Sequence, residues 1–136
     1  MIEAYSVIAN QGGYGDEPDF PTNTAAMTGA FLPGLQTTLR QRVQCTGIGL
    51  HSGEPVLLAL CPAAAGTGIL FRRSDLADEA AWIPGRWDNV IDTRLCTVVG
   101  NDQGASVGTI EHLMAALAAA GVDNAIVEVD QPELPA

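Results

Sequence analysis

The chain is predicted to be an α+β domain: a small, mainly antiparallel sheet with helices packed on one face. Three observations predict this. From Leu39 onward, short runs with period-two or continuously apolar pattern recur between turn signals, as strands do. One stretch alone has sustained helical spacing, with Ile110, Leu113, Met114 and Leu117 at i, i+3, i+4 and i+7. Strands come first, then this helix, then one more strand, an order that layers a helix on a sheet. At 136 residues and 47% hydrophobic content, one domain with its own core is expected.

Each element has a local reason. Residues 1–36 crowd Gly12, Gly13, Gly15, Asp16, Glu17, Pro18, Asp19, Pro21 and Asn23, with no basic residue before Arg40. That composition suits a flexible N-terminal extension, and it lacks the positive n-region and apolar core of a signal peptide. A start at Met27 would remove most of it. The domain proper is placed at 37–136. Leu39, Gln41, Val43 and Cys45 alternate with Arg40, Arg42, Gln44 and Thr46, as along a half-exposed strand. The run 56–61, between Pro55 and Pro62, is apolar on both faces and reads as a central strand. Gly66 and Gly68 punctuate a turn before a strand at 69–71. Residues 79–82 form a short turn or helix ahead of Pro84, and a strand is expected at 95–99. Residues 100–104 (Gly-Asn-Asp-Gln-Gly) then make a hairpin loop, and 105–107 return. The helix covers 110–120, with Thr109 as N-cap and Gly121 as stop, and a strand follows at 125–129.

Charge and composition exclude several classes. Six cations, all Arg, face sixteen acids, for a formal net charge of −10. This opposes binding of nucleic-acid phosphates and docking on an anionic membrane. The longest apolar run, 113–120, is far short of the ~20 residues that cross a bilayer. Cys45, Cys61 and Cys96 are odd in number and lack C-x-x-C spacing. With Cys45 and Cys61 read as buried reduced thiols, a cytoplasmic chain is expected. Trp82 and Trp87 are expected to pack beneath a loop. Arg72 and Arg73 read as strand-end surface charges, with contact to an anionic substrate group as the alternative.

The chemistry-bearing residues are few. Glu111 and His112 stand side by side in the first helical turn, where the dipole favours Glu⁻ and disfavours His⁺. A neutral imidazole can hold a metal, and an ionised carboxylate beside it can take a proton from an attacking water. The same pair also fits a structural role, since Glu is common in first turns and a single His often only packs. The second histidine, His51, lies among Gly47, Gly49 and Gly53, on a turn that presents it outward. It could equally be a hairpin residue bonded to nearby backbone.

Five blocks in register resemble the UDP-3-O-acyl-N-acetylglucosamine deacetylases. These are Gly47-Ile48-Gly49-Leu50-His51-Ser52-Gly53; Gly68 through Leu76; Asp92-Thr93-Arg94-Leu95-Cys96-Thr97; Thr109 through Leu117; and Gly121-Val122-Asp123-Asn124 with Glu133-Leu134-Pro135. The resemblance covers residues 38–136 and matches the first of that family's two domains, one half of a β-α-α-β sandwich. It implies a zinc-dependent hydrolase that removes the N-acetyl group from a UDP-linked acylated glucosamine in lipid A biosynthesis of Gram-negative bacteria. It implies Glu111 as the catalytic general base and His112 as a Zn²⁺ ligand. His51, Leu95, Cys96 and Thr97 are implied to border the substrate. Cys96 fits a small core residue as well, and Asp92 and Thr93 fit turn positions. Arg94 stands where the family often has an apolar residue. The remaining zinc ligands and an acid His belong to the family's second domain, which nothing in this sequence matches.

As catalytic zinc needs three protein ligands, the 136-residue chain alone is expected to bind zinc weakly and to be inactive. A non-catalytic relative acting as a binding or interaction module is the alternative. An Ala-rich helix flank (Ala115, Ala116, Ala118, Ala119) is expected to be exposed, for a missing second-domain polypeptide or for self-association.

Overall fold

A computed structural model describes residues 35–135 and the backbone of residues 4–7. The elements run β1 (Ala4–Val7), β2 (Gln36–Leu39), β3 (Val43–Ile48), β4 (Pro55–Pro62), β5 (Ile69–Arg73), α1 (Asp78–Ala81), β6 (Trp82–Pro84), a 3-10 turn (Trp87–Asn89), β7 (Val90–Asp92), β8 (Val98–Gly100), β9 (Ser106–Val107), α2 (Glu111–Ala119) and β10 (Ala125–Val129). The main sheet has the order β3-β4-β10-β5-β6; β7-β8-β9 form a second sheet and β1-β2 a ribbon. Every pair is antiparallel except β10 with β5. The α+β class expected from the sequence is the one observed. Of the extension expected over 1–36, Gln36 already belongs to β2 and the backbone of β1 pairs with that strand; residues 1–3 and 8–34 lie outside the described residues.

The core forms where the sheet meets α2. In β10, Ala125, Val127 and Val129 are fully buried while Ile126 and Glu128 are half-buried, the alternation of a sheet with one face covered. Phe71 and Ile83 lie beside Val127 in the same sheet, and Val107, Ile110, Leu117 and Leu134 complete the cluster. Of the helical stripe, Ile110 and Leu117 are buried, and Leu113 and Met114 pack partly buried at its edge. Ala115, Ala116, Ala118 and Ala119 are exposed, as the sequence suggested.

The helix ends as expected and begins otherwise. Gly121 has φ 68°, the Gly121 N–H donates to Ala118 O, and the Val122 N–H donates to Leu117 O. This is a Schellman ending, and Val122 and Leu117 both belong to the core. Thr109 is not the N-cap. That position falls to Ile110, with no side-chain cap, while the Thr109 hydroxyl turns away to Glu133.

Two strands are shorter than their patterns. The alternation through 39–46 breaks at Arg40 and Gln41, because its two ends serve different partners. Thr38 is buried, donates to Asn124 O and accepts from the Ala63 N–H, whereas β3 pairs along the edge of β4. The strand expected at 95–99 begins only at Val98. The Thr97 N–H is bonded to the Glu111 carboxylate and its carbonyl accepts from the Ile110 N–H, so this backbone caps the helix start instead of joining a ladder.

Several side chains also differ from expectation. Cys45 is exposed, because β3 is a sheet edge, and Cys61 is only half-buried; all three thiols are free. Trp87 is 86% exposed, and Trp82 lies at the surface under the Arg72 guanidinium rather than beneath a loop. Arg73 is no surface charge. It is buried, forked on Asp75 and donating to Ser106 O. Arg72 pairs with Glu128 and Asp78.

Candidate active-site cavity

A cavity of about 750 Å³ opens between the turn after β3, the β7–β8 connection and the segment after β10. Its lining comprises His51, Ser52, Asp92, Arg94, Leu95, Cys96, Val98, Gly108, Thr109, Pro132 and Glu133.

The His51 turn is built by glycine. The Gly49 N–H donates to Glu54 O, the Gly53 N–H donates to Gly49 O, and Gly53 takes φ 70°. A Cβ on Gly49 would lie 2.6 Å from Glu133 Oε2, so only glycine lets this carboxylate close against the turn. From the other side, the Gly108 N–H donates to Pro132 O and the Leu134 N–H donates to Gly108 O. Glu133 is thereby threaded between the turn and the start of α2.

Its carboxylate gathers four donors. Oε1 accepts from the His51 N–H (2.9 Å), from His51 Nδ1 (2.8 Å) and from the Thr109 hydroxyl (3.0 Å). Oε2 accepts from the Ser52 N–H at 2.9 Å. Burial pushes the Glu133 carboxyl up, but the His51 and Ser52 N–H groups, with their side chains, outweigh it and hold it at about 2. Thr109, the residue that turns the chain from Gly108 into the helix, has φ 58°, a strained conformation for a β-branched residue. Its hydroxyl bond to Glu133 helps to hold it there.

The residues singled out by sequence fall into two groups. His51, Leu95 and Cys96 line the cavity, with Leu95 84% exposed at its mouth and Cys96 half-buried. Thr97, Glu111 and His112 are not among the lining residues. They adjoin it through one contact, since the Thr97 N–H next to Cys96 donates to Glu111 Oε2 at 3.0 Å. The Glu111 carboxyl is lowered by its own backbone N–H, against burial, and further by Thr97, His112 and His51. His112 is exposed and makes no hydrogen bond or ion pair with a described residue. Among the described residues no group of three or more His, Cys, Asp or Glu side chains could hold a metal ion. At the far rim Arg94 clamps Asp92 through both carboxylate oxygens, which holds the Asp92 carboxyl well below the usual range.

Glu133 and Ser52 are the site residues that sequence reasoning passed over. A carboxylate between Pro132 and Pro135, in a segment with restricted backbone, was the available signal. Nothing local shows that it meets a turn 82 residues away.

A family model described as UDP-3-O-acyl N-acetylglycosamine deacetylase matches residues 36–136. Relatives called UDP-3-O-acyl-N-acetylglucosamine deacetylase include those of Vibrio cholerae (54% identical over 100 residues), Aliivibrio fischeri (52%) and Actinobacillus pleuropneumoniae (52%). Each alignment covers 74% of this chain and 32% of the relative. The chain thus spans about a third of the length of the curated relatives it matches.

Proposed function

The chain belongs to the UDP-3-O-acyl-N-acetylglucosamine deacetylase family, and on that premise we propose that residues 37–136 are the first domain of a zinc-dependent hydrolase. Its reaction is removal of the N-acetyl group from a UDP-linked, 3-O-acylated glucosamine, a step of lipid A biosynthesis in the Gram-negative cytoplasm. No helix among the described residues is long and apolar enough to cross a membrane.

The observation that carries the reading is Glu111, fixed by the Thr97 N–H directly behind the Cys96 wall of the cavity. Its carboxyl, at or below the ordinary Glu range, is ionised near neutral pH, the form that can accept a proton. Glu111 takes the proton of the water that attacks the acetyl carbonyl, and Thr97 holds the carboxylate in place for that transfer. His112 is exposed and makes no hydrogen bond or ion pair with a described residue, which suits an imidazole that ligates zinc. The donor set fits zinc as one ligand of the three a catalytic site needs, so the other ligands come from outside the described residues. Zinc, when bound, supplies Lewis acidity that polarises the carbonyl and makes water easier to deprotonate. His51, Leu95 and Cys96 border the sugar and its acyl chain, and the exposed alanines of α2 form the face that meets the second domain.

A chimera tests this. Residues 36–136 replace the matching segment of the V. cholerae relative, and acetate release from UDP-3-O-acyl-N-acetylglucosamine is measured. An active, zinc-dependent chimera is expected. A folded chimera that binds the nucleotide sugar without turnover would instead make this domain a binding module.

A further inference from the structure

We infer that Glu133 is a positioning residue that keeps the His51 ring proton on Nδ1, leaving Nε2 as a hydrogen-bond acceptor for a hydroxyl or N–H group bound in the cavity. An ionised carboxylate can only accept. Glu133 Oε1 lies 2.8 Å from His51 Nδ1, and an unprotonated Nδ1 at that distance would set two lone pairs against each other. The ring proton is therefore held on Nδ1. Free imidazole side chains favour the opposite form, with the proton on Nε2, so the arrangement is imposed by the fold.

The position of the ring is as determined as its proton. Glu133 also accepts from the His51 and Ser52 N–H groups, so backbone and side chain of the turn are gripped by one carboxylate. The Thr109 hydroxyl completes the cluster, 3.0 Å from Oε1 and 3.4 Å from Nδ1. These contacts leave Nε2 as the ring nitrogen still able to bond. The His51 side chain is 40% exposed and lines the cavity, so Nε2 can be reached by a ligand there. A neutral acceptor suits the hydroxyl and amide N–H groups of an N-acylated sugar; this choice of ligand rests on the proposed function, whereas the tautomer does not.

The chain has two histidines, which makes nitrogen-15 spectroscopy of its imidazoles decisive. Labelled chain at about pH 9, where an ordinary imidazole is neutral, is expected to show one ring with its proton on Nδ1 and one with its proton on Nε2. His51→Asn should remove the first set, and His112 serves as the ordinary reference. In Glu133→Met, His51 should revert to the Nε2–H form. His51 carrying its proton on Nε2 in the unaltered chain overturns the inference whether or not the variant folds. A folded Glu133→Met that keeps the Nδ1–H form overturns it too. Adding UDP-3-O-acyl-N-acetylglucosamine should shift the His51 Nε2 signal in the hydrogen-bonded direction. An Nε2 signal that stays in place overturns the acceptor role while the tautomer stands, so failure of the substrate reading and failure of the Glu133 role give different spectra.

Discussion

Two carboxylate–imidazole pairs stand near the same cavity, and they are organised in opposite ways. Glu111 and His112 are neighbours in sequence at the start of α2, and neighbours on a helix point in different directions. Glu111 takes its hydrogen bond from the Thr97 N–H, and His112 makes none with a described residue. Glu133 and His51 are 82 residues apart and meet at 2.8 Å, with three further donors on the same carboxylate. The adjacent pair is open and suited to act on something added. The distant pair is closed on itself and suited to hold a ring still. Identical residue types thus take opposite roles according to whether their hydrogen bonds are already made within the fold.

The largest effect that could break this contrast is on turnover. In the chimera, Glu111→Ala should lower the rate by roughly 10²–10⁴-fold, the usual worth of a general base, while zinc content is retained. His112→Ala should lose the zinc. Metal analysis beside an acetate assay separates the two, and zinc lost from Glu111→Ala would reverse the roles.

The next effect is on stability, and it should favour the closed pair. Glu133→Ala strands the His51 and Ser52 N–H groups and the Thr109 hydroxyl, at a cost of about 2–4 kcal/mol if their partial access to water is allowed for. His112→Ala, at an exposed position, should stay within about 0.5 kcal/mol. Urea unfolding of the chain decides. Equal costs would mean that the open pair is structural.

Gly49→Ala attacks the closed pair without touching its chemistry. The added Cβ would meet Glu133 Oε2 at 2.6 Å, and the Ser52 side chain also crowds it. Overpacking of this kind costs about 1–3 kcal/mol, and the loss should shrink in a Glu133→Ala background, where the obstructing carboxylate is gone. Additive losses in a double-mutant cycle would argue that the turn is independent of Glu133.

The last effect is a pH dependence. The Glu133 carboxyl is held at about 2, below its ordinary 4.5, so protons bind the unfolded chain more tightly than the folded one. The carboxylate's contribution is complete above about pH 4.5 and declines as the pH falls toward 2. Thermal melts across that window should converge for the unaltered chain and Glu133→Gln. A constant gap would show that the carboxylate's charge does not matter to the cluster.

Much of this was legible along the chain. The α2 stripe, its Gly121 ending, the 100–104 hairpin loop and the apolar run of β4 each follow from patterns only a few residues long, and the structure has them. The placement of Glu111 and His112 side by side in a first helical turn was legible for the same reason. What failed depended on distant partners. Thr109 looks like an N-cap until Glu133 takes its hydroxyl, and 95–97 looks like strand until Glu111 and Ile110 take the Thr97 backbone. Arg73 looks like a surface charge until the fold buries it against the Ser106 carbonyl, 33 residues away.

The sequence by itself determined the α+β class, the helix with its two chemical side chains, and the family, because periodicity and motif spacing are carried by neighbouring residues. Tertiary structure alone decided that His51, Thr109 and Glu133 form one cluster and that β10 lies between β4 and β5. Those contacts join segments tens of residues apart. Which donor reaches which buried acceptor is settled only when the core has closed and water can no longer satisfy them.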